Sequence, residues 1–211
     1  MPIFRAGAGQ APAWCELERF ELIALQRGER RQLPRTGQRE HLIVCRGLLQ
    51  ATSGATTSTL PEGGQLELTA AEAEGYSLTA LNETLVFHAA GHWGSITSSG
   101  IFTARPGTPP THDTPYPYAK TTTFDNHYHD CDEYWIILDG HCRAVSEGQC
   151  YDVAPGDCIV TGMGWHHDVA SIEGEGPLKG VWFEGTLEGQ KRVGHLWEPQ
   201  HGPAEPKPER M

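Results

Sequence analysis

The sequence has no apolar run long enough to cross a membrane, and its first five residues lack the apolar segment of a secretory signal. Positive charge is also scarce, since 16 Lys and Arg stand against 27 Asp and Glu, for a formal net charge of -11. This balance argues against a nucleic acid or an anionic membrane as partner, although a bound metal could still attract an anionic substrate. We therefore expect a cytoplasmic protein whose partners include neither a nucleic acid nor a membrane.

Cysteines are few and none forms a CxxC pair, so the sequence offers no pattern for a structural disulfide or a cysteine-based zinc site. We expect free thiols in a reducing compartment, most of them buried as small apolar side chains. The six positions are Cys15, Cys45, Cys131, Cys142, Cys150 and Cys158.

Turn-forming residues, by contrast, are abundant: Gly and Pro contribute 25 and 15 of the 211 residues. Short segments rich in β-branched and aromatic residues lie between them, which is typical of an all-β sandwich or barrel. After a first strand that starts near Trp14, the predicted strands include 48–51, 65–68, 76–80, 84–89, 134–138, 141–146, 150–153, 158–161, 168–171 and 179–184.

Residues 126–133 carry the strongest chemical signal. Side chains alternate along a β-strand, so His127 and His129 are expected to point the same way. A bend or bulge around Cys131 and Asp132 would bring the carboxylate of Glu133 to the same side. Two imidazoles and a carboxylate form most of a site for a first-row transition metal.

A fourth ligand is available further along the chain, where His166 and His167 follow a glycine-rich turn. Strand alternation does not decide between neighbours in a turn. Groups close enough in sequence to orient the imidazoles through hydrogen bonds are Asp125, Asp130, Asp132, Thr123 and Tyr134.

These residues resemble the two signature motifs of the cupins. His127, His129, Glu133 and Gly140 fall at the spacing H-x-H-x3-E-x6-G of the first motif, and residues 156–167 are similar to the second. The resemblance implies a double-stranded β-helix, or jelly-roll barrel. It also implies a metal held by His127, His129, Glu133 and His167, and we expect His166 either to lie behind these ligands or to face solvent.

The second motif departs from the family pattern at two positions. The family normally has Pro where this chain has Gly162, and often Asn where it has Ser171. Glycine is conformationally freer than proline, so the loop alone fixes the orientation of His167 less firmly.

The first half of the chain contains a partial copy of the same pattern. Glu40 is followed by six residues and Gly47, but residues 34–39 contain no histidine where the motif has two. We interpret the chain as two tandem cupin barrels, of which the first is degenerate and metal-free; an ordinary strand and turn is the alternative. The predicted divisions are an N-terminal arm (1–13), the degenerate barrel (14–95), a Pro-rich connector (96–119), the metal-binding barrel (120–200) and a flexible tail (201–211).

The four implied ligands constrain the cofactor to one divalent first-row metal: Fe, Mn, Ni, Co or Zn. Four protein ligands would fill a tetrahedral zinc, whereas an octahedral ion keeps two positions open, so we favour the octahedral ions. Candidate acid and base groups that do not bind the metal are His166, Tyr134, Lys120 and Glu184.

Three functions fit a cupin with this ligand set, since fold does not choose a reaction. The preferred one is a metal-dependent isomerase, epimerase or lyase for a sugar-like or hydroxy- or keto-acid metabolite. An Fe-dependent dioxygenase is the alternative, against which the oxidisable Cys131 counts. A non-catalytic metal- and ligand-binding protein is the third. A homodimer is possible, through exposed strand edges or the N-terminal arm.

Overall fold

The computed structural model describes residues 1–5, 11–68, 75–188 and 192–211. The chain divides into two compact units: unit 1 comprises Met1–Arg5 and Gly94–Met211, and unit 2 comprises Ala6–Trp93. Within the described ranges the only helix is α1 (Glu198–His201), and no helix there has the length and apolarity needed to span a membrane. The expectation of a β-rich protein is therefore confirmed.

Sixteen strands occur in the described residues, numbered in chain order. They are β1 (Ile3–Arg5), β2 (Leu17–Leu25), β3 (Arg30–Pro34), β4 (Arg39–Arg46), β5 (Leu48–Ser53), β6 (Thr56–Pro61), β7 (Gln65–Leu68), β8 (Gly75–Ala80), β9 (Thr84–Gly91), β10 (Ser98–Ala104), β11 (Glu133–Asp139), β12 (Cys142–Ser146), β13 (Gln149–Val153), β14 (Asp157–Thr161), β15 (His167–Ile172) and β16 (Leu178–Glu184).

Unit 1 contains a five-stranded sheet, in the order β1-β14-β11-β16-β10, and a three-stranded sheet, in the order β13-β12-β15. All neighbouring strands are antiparallel. Strand β11 lies at the centre of the larger sheet, and its run Tyr-Trp-Ile-Ile is buried on both faces, as a continuous apolar run predicts. The core includes Trp135, Ile137, Ala144, Ile159, Val169 and Leu178.

The same strand places an acid at the edge of this core. Glu133 shares a sheet face with Trp135 and Ile137, because side chains alternate, and it pairs in register with Glu184 of β16. The chain bends at Asp130 and Cys131, just before the strand begins. This bend is where the sequence required one if Glu133 was to face the histidines.

Unit 2 has two four-stranded sheets, in the orders β2-β9-β4-β7 and β3-β8-β5-β6. Its core contains Ile23, Leu42, Val44, Leu49, Leu78 and Val86. The first order corresponds strand by strand to β10-β16-β11-β14 of unit 1, and β8-β5-β6 corresponds to β15-β12-β13. The two units therefore share these strand orders, although the described residues of neither unit form a closed sheet.

Apart from the first strand, which begins at Leu17 and not near Trp14, the strands predicted with both bounds agree with the observed ones to within two residues at each end. Strands β3, β6 and β10 were not predicted. Strand β3 (sequence RRQLP) buries only Leu33, so it carries almost no alternating signal. Residues 98–104, assigned to an irregular connector, instead form β10 along the whole length of β16, because the prolines of that region begin only at Pro106.

Two predicted terminal segments also differ from expectation. Residues 3–5 of the supposed arm pair with β14, and Arg5 Nε donates to Asp157 Oδ1 at 2.5 Å. Because residues 3–5 pair within their own unit, they do not support strand exchange with a second copy of the chain. Residues 6–10 lie outside the described part of the chain. Residues 203–211, the end of the predicted flexible tail, pack against unit 1 and are called the C-terminal strap below.

Candidate metal centre

Four buried side chains converge at one end of the unit 1 core. His127, His129, Glu133 and His167 each contribute a potential ligand atom, and these atoms all lie within 4.8 Å of one another. The residues are 0 to 4% exposed. The structure thus brings together the four residues that the motif resemblance implied as a ligand set.

Backbone pairing, rather than a regular strand, presents two of these histidines. We expected His127 and His129 to lie along a β-strand, but residues 127 and 128 form only isolated bridges, to His167 and Leu196. His127 N donates to His167 O at 3.3 Å, and His167 N donates to His127 O at 2.9 Å. This reciprocal pair places the two imidazoles side by side at the start of β15.

Every imidazole of the cluster is oriented by a backbone carbonyl. The Nδ1 atoms of His127, His129 and His167 lie 2.8, 3.0 and 3.2 Å from the carbonyl oxygens of Asp125, Gly194 and Trp165. A carbonyl only accepts, so each Nδ1 carries the proton and each Nε2 keeps its lone pair. Metal-binding histidines are typically fixed in this way.

The inward atoms of the cluster have the character expected of metal ligands. His127 Nε2, His129 Nε2, His167 Nε2 and Glu133 Oε2 are buried and make no hydrogen bond. Glu133 Oε2 approaches His167 Nε2 at 2.6 Å and His129 Nε2 at 3.4 Å, without the alignment of a hydrogen bond. Buried polar atoms left in this state are costly, and one cation at their centre would satisfy all four.

Electrostatics favour an ionised Glu133 and a neutral His127, and they favour the protonated form of His129. Burial opposes ionisation of Glu133, but His129 and His167 prevail and lower its pKa well below the ordinary value. Burial, with the neighbouring imidazoles, lowers the pKa of His127. For His129, burial is outweighed by Glu133 and Glu184, and the pKa is raised. A divalent cation accepts the ionised acid and competes with protons for the imidazoles.

A histidine that we did not predict lies against the cluster. The ring of His195 stacks on that of His127 at 3.6 Å between centroids, and its Nδ1 lies 2.7 Å from Asp125 Oδ2. Trp197 Nε1 donates to the same oxygen at 2.7 Å. A half-exposed histidine held by a carboxylate can exchange protons with a bound molecule. Its distance in sequence from the motifs left no local signal for it.

Glu184 is the one predicted acid–base candidate that lies beside the cluster. Its Oε1 is 3.9 Å from His129 Nδ1, and its buried Oε2 has no hydrogen-bond partner. Burial raises the pKa of Glu184. His129 opposes this shift, whereas the charge of Glu133 adds to it. Burial also raises the pKa of the nearby Cys131 thiol, so this cysteine stays protonated and poorly reactive.

The other three predicted acid–base candidates lie elsewhere. His166 Nδ1 is 3.1 Å from Glu147 Oε1, outside the cluster. The Tyr134 ring packs on Phe183, on the sheet face opposite Glu133. Lys120 Nζ is buried between Asp113 and Asp168, at 2.7 and 2.9 Å. These positions follow from strand alternation and from charge pairing, and they separate all three residues from the inward ligand atoms.

Two of the predicted orienting acids make charged contacts. The backbone N and the guanidinium of Arg192 donate to the carboxylate of Asp130 at 2.9 to 3.0 Å. Asp132 accepts from Met163 N at 2.8 Å and from Arg210 Nη1 at 3.0 Å. Asp125 orients His127 through its carbonyl, as described above, whereas Thr123 Oγ1 donates to Arg105 O at 3.4 Å at the surface.

Comparison with known proteins identifies a relative that is similar in sequence and solved structures that are similar in fold. No family model matches the sequence. The uncharacterized protein y4oW of Sinorhizobium fredii is 40% identical over 220 residues, which span 100% of this chain and 97% of the relative. A relative matched at this identity over its whole length belongs to the same family.

Solved structures with a similar fold are much more distant in sequence. A single-residue mutant of Bacillus subtilis oxalate decarboxylase has a TM-score of 0.61 at 11% identity, covering 84% of this chain and 70% of that one. A second structure of that enzyme, studied for its Mn(II) centers, has a TM-score of 0.55 at 10% identity over 80% and 69% of the two chains. Escherichia coli YlbA has a TM-score of 0.52 at 14% identity over 82% and 78%. The cupin fold predicted from the motifs is confirmed.

Proposed function

This chain belongs to the family of the Sinorhizobium fredii protein y4oW and has the cupin fold, and we propose that it is a metal-dependent enzyme acting on a small polar metabolite. The observation that carries the proposal is the convergence of three imidazole Nε2 atoms and one carboxylate oxygen, buried and without hydrogen bonds. The ligands are His127, His129, Glu133 and His167.

The donor set favours an octahedral first-row ion. Four protein ligands of nitrogen and oxygen type leave two positions open on Mn(II), Fe(II), Co(II) or Ni(II), but none on a tetrahedral zinc. The Mn(II) centers of the fold relative from B. subtilis are consistent with this choice. When bound, such an ion would polarise a carbonyl or hydroxyl oxygen of the substrate.

The side chains around the cluster support proton-transfer chemistry on a polar substrate, by an isomerase, epimerase or lyase. His195 is held by Asp125 with its Nε2 turned away from that carboxylate, and Glu184 has a raised pKa. These two groups can hold and move protons beside the cluster. The substrate is a sugar-like, hydroxy-acid or keto-acid molecule, taken up by a protein that works in the cytoplasm without nucleic acid or membrane.

An Fe-dependent dioxygenase is the second candidate. Cys131 counted against it as an oxidisable thiol, but this thiol is buried and its pKa is raised, which lowers its reactivity. A metal-binding protein without turnover is the third candidate. Oxygen consumption by the Fe(II)-loaded protein over phenols, diketones and thiols, set beside anaerobic turnover of a sugar and hydroxy-acid panel, separates the three. Turnover without O₂ supports the first candidate.

We further propose that unit 2 is a second, metal-free cupin barrel, so that the chain is a tandem pair. The matching strand orders of the two units support this interpretation. Unpaired sheet edges also allow a homodimer. Metal analysis tests the metal-free part of this proposal, because a single metal-competent unit predicts one ion per chain and not two.

A further inference from the structure

The C-terminal strap, residues 203–211, crosses the loop that precedes the last metal ligand. Lys207 N donates to Met163 O at 3.2 Å, and Trp165 Nε1 donates to Lys207 O at 3.0 Å. Trp165 in turn provides the carbonyl that lies 3.2 Å from His167 Nδ1. The strap therefore contacts the loop 162–165 on both sides of Gly164.

Two glycines make this crossing possible. A Cβ atom at Gly162 would lie 2.1 Å from the carbonyl oxygen of Arg210, and one at Gly164 would lie 2.4 Å from that of Glu205. No side chain fits at either distance. The family's usual proline is thus incompatible with the strap at Gly162, and the departure from the motif is explained by the backbone that covers it.

Arg210 connects the strap to the other side of the centre. Its Nη1 lies 3.0 Å from both carboxylate oxygens of Asp132, and its Nη2 donates to Glu188 Oε1 at 2.7 Å. Asp132 is 1% exposed, directly precedes Glu133 and accepts from Met163 N at 2.8 Å. One carboxylate thus joins the strap, the loop 162–165 and the segment that carries Glu133.

The loop also reaches a third ligand, because Gly164 N donates to His129 O at 2.9 Å. We propose that the C-terminal strap positions the ligand segments of the centre, with Arg210 as the positioning residue. Arg210 acts through Asp132 on Glu133, and the strap acts through the loop on His129 and His167. In this chain the strap supplies the restraint that proline gives the loop elsewhere in the superfamily. The inference rests on the proposed metal site.

The test measures Mn(II) affinity and amide hydrogen exchange in the full-length protein. Arg210→Ala is expected to weaken Mn(II) binding by about 10- to 100-fold, as loss of groups that orient metal ligands does. It is also expected to lower protection of amides in residues 162–167 by at least about tenfold, because a buried charge loses its partner. Arg210→Lys keeps the charge but loses the guanidinium that joins Asp132 to Glu188, so both readouts should fall between those of wild type and Arg210→Ala.

The matched control is Arg143→Ala, which removes an exposed Arg–Asp pair of the same unit (Arg143 Nε to Asp152 Oδ1, 3.2 Å). It should change neither readout. Gly162→Ala is expected to displace the strap and reproduce the loss seen in Arg210→Ala. Combining the two substitutions should add little, because both act through one element.

Unchanged affinity and unchanged protection of 162–167 in Arg210→Ala would overturn the inference, as would full additivity with Gly162→Ala. If Arg210→Ala fails to fold, Mn(II) affinity and amide protection in Arg210→Lys and Gly162→Ala test the inference in its place. Failure of the wild-type protein to bind Mn(II) would instead count against the metal site, while hydrogen exchange would still report whether the strap holds the loop.

Discussion

Each unit has a buried glutamate at the corresponding position of a corresponding strand, but the groups around the two glutamates differ. Glu133 in β11 and Glu40 in β4 each precede a glycine of positive φ by seven residues (Gly140, 84°; Gly47, 93°). In unit 1 an oxygen of the acid faces imidazole nitrogens and makes no hydrogen bond. In unit 2 Glu40 Oε1 accepts from Thr36 N at 2.6 Å and Gly37 N at 2.9 Å, and Oε2 pairs with His88.

The positions opposite the acid differ as well. His127 pairs with His167 across an isolated bridge in unit 1, whereas Leu33 pairs with Tyr76 in unit 2. A carboxylate already bound by amides and an imidazole has little left for a cation. Similar strand orders thus surround a candidate metal cluster in unit 1 and a hydrogen-bonded carboxylate in unit 2, and the two acids differ in their partners.

The largest effect should follow from removing a ligand of unit 1. His127→Ala leaves three donors and a cavity, so Mn(II) affinity should fall by more than about 100-fold, beyond the loss expected for an orienting residue. Equilibrium dialysis with metal analysis measures it. Glu40→Gln serves as the control in unit 2 and should retain one ion per chain. If His127→Ala bound Mn(II) like the wild type, the assigned ligand set would be wrong.

Removing the corresponding acid of unit 2 should affect stability and not metal. Glu40→Ala leaves two amides without their acceptor and His88 with only its contact to Glu21 (Nδ1 to Oε1, 3.3 Å), and breaking a buried pair costs up to about 3–5 kcal/mol. Urea denaturation measures the free energy of unfolding, with metal content measured in parallel. A loss of the bound metal with unchanged stability would reverse the roles that we assign to the two units.

Acid should weaken unit 2 through its own titrating groups. Burial opposes ionisation of Glu40, but His88 and the amides of Thr36 and Gly37 prevail and lower its pKa to about 2. Burial lowers the pKa of His41 to about 4. Both values lie below those of the unfolded chain, so the unfolded state binds more protons and stability falls as the pH falls.

The stabilising contribution of neutral His41 should be complete above about pH 6.5 and lost towards pH 4, and that of Glu40 should be lost between about pH 4.5 and pH 2. The shift at His41 corresponds to roughly 3 kcal/mol. His88, whose pKa is raised, contributes in the opposite sense at higher pH. Urea midpoints from pH 7 to pH 2 measure the change, and a wild-type profile that stays flat over this range would contradict it.

The smallest effect should come from the histidine next to the last ligand. His166→Ala removes a contact with Glu147 and none with the cluster, so Mn(II) affinity should stay within about twofold of wild type. The paired substitution His167→Ala should abolish binding. A large loss in His166→Ala alone would move the fourth ligand by one position.

Local sequence patterns predicted the features of the fold and site that depend on short-range spacing. The strands around Glu133 follow from an apolar run and flanking turns, and the four clustered residues follow from the motif spacing. What could not be predicted depends on contacts between distant segments. His195 reaches Asp125 across 70 residues and Arg210 reaches Asp132 across 78, and no periodicity or spacing records such pairs. Gly162 carried a local signal of the C-terminal strap. It replaces the usual proline of the motif at the position where the backbone of Arg210 passes.

Anomalous diffraction from crystals of the full-length protein loaded with Mn(II) tests the central claim most directly. The account predicts one peak per chain, about 2.0–2.2 Å from the Nε2 atoms of His127, His129 and His167 and from an oxygen of Glu133, with no peak near Glu40. A peak at Glu40, or none at the cluster in unit 1, would contradict it.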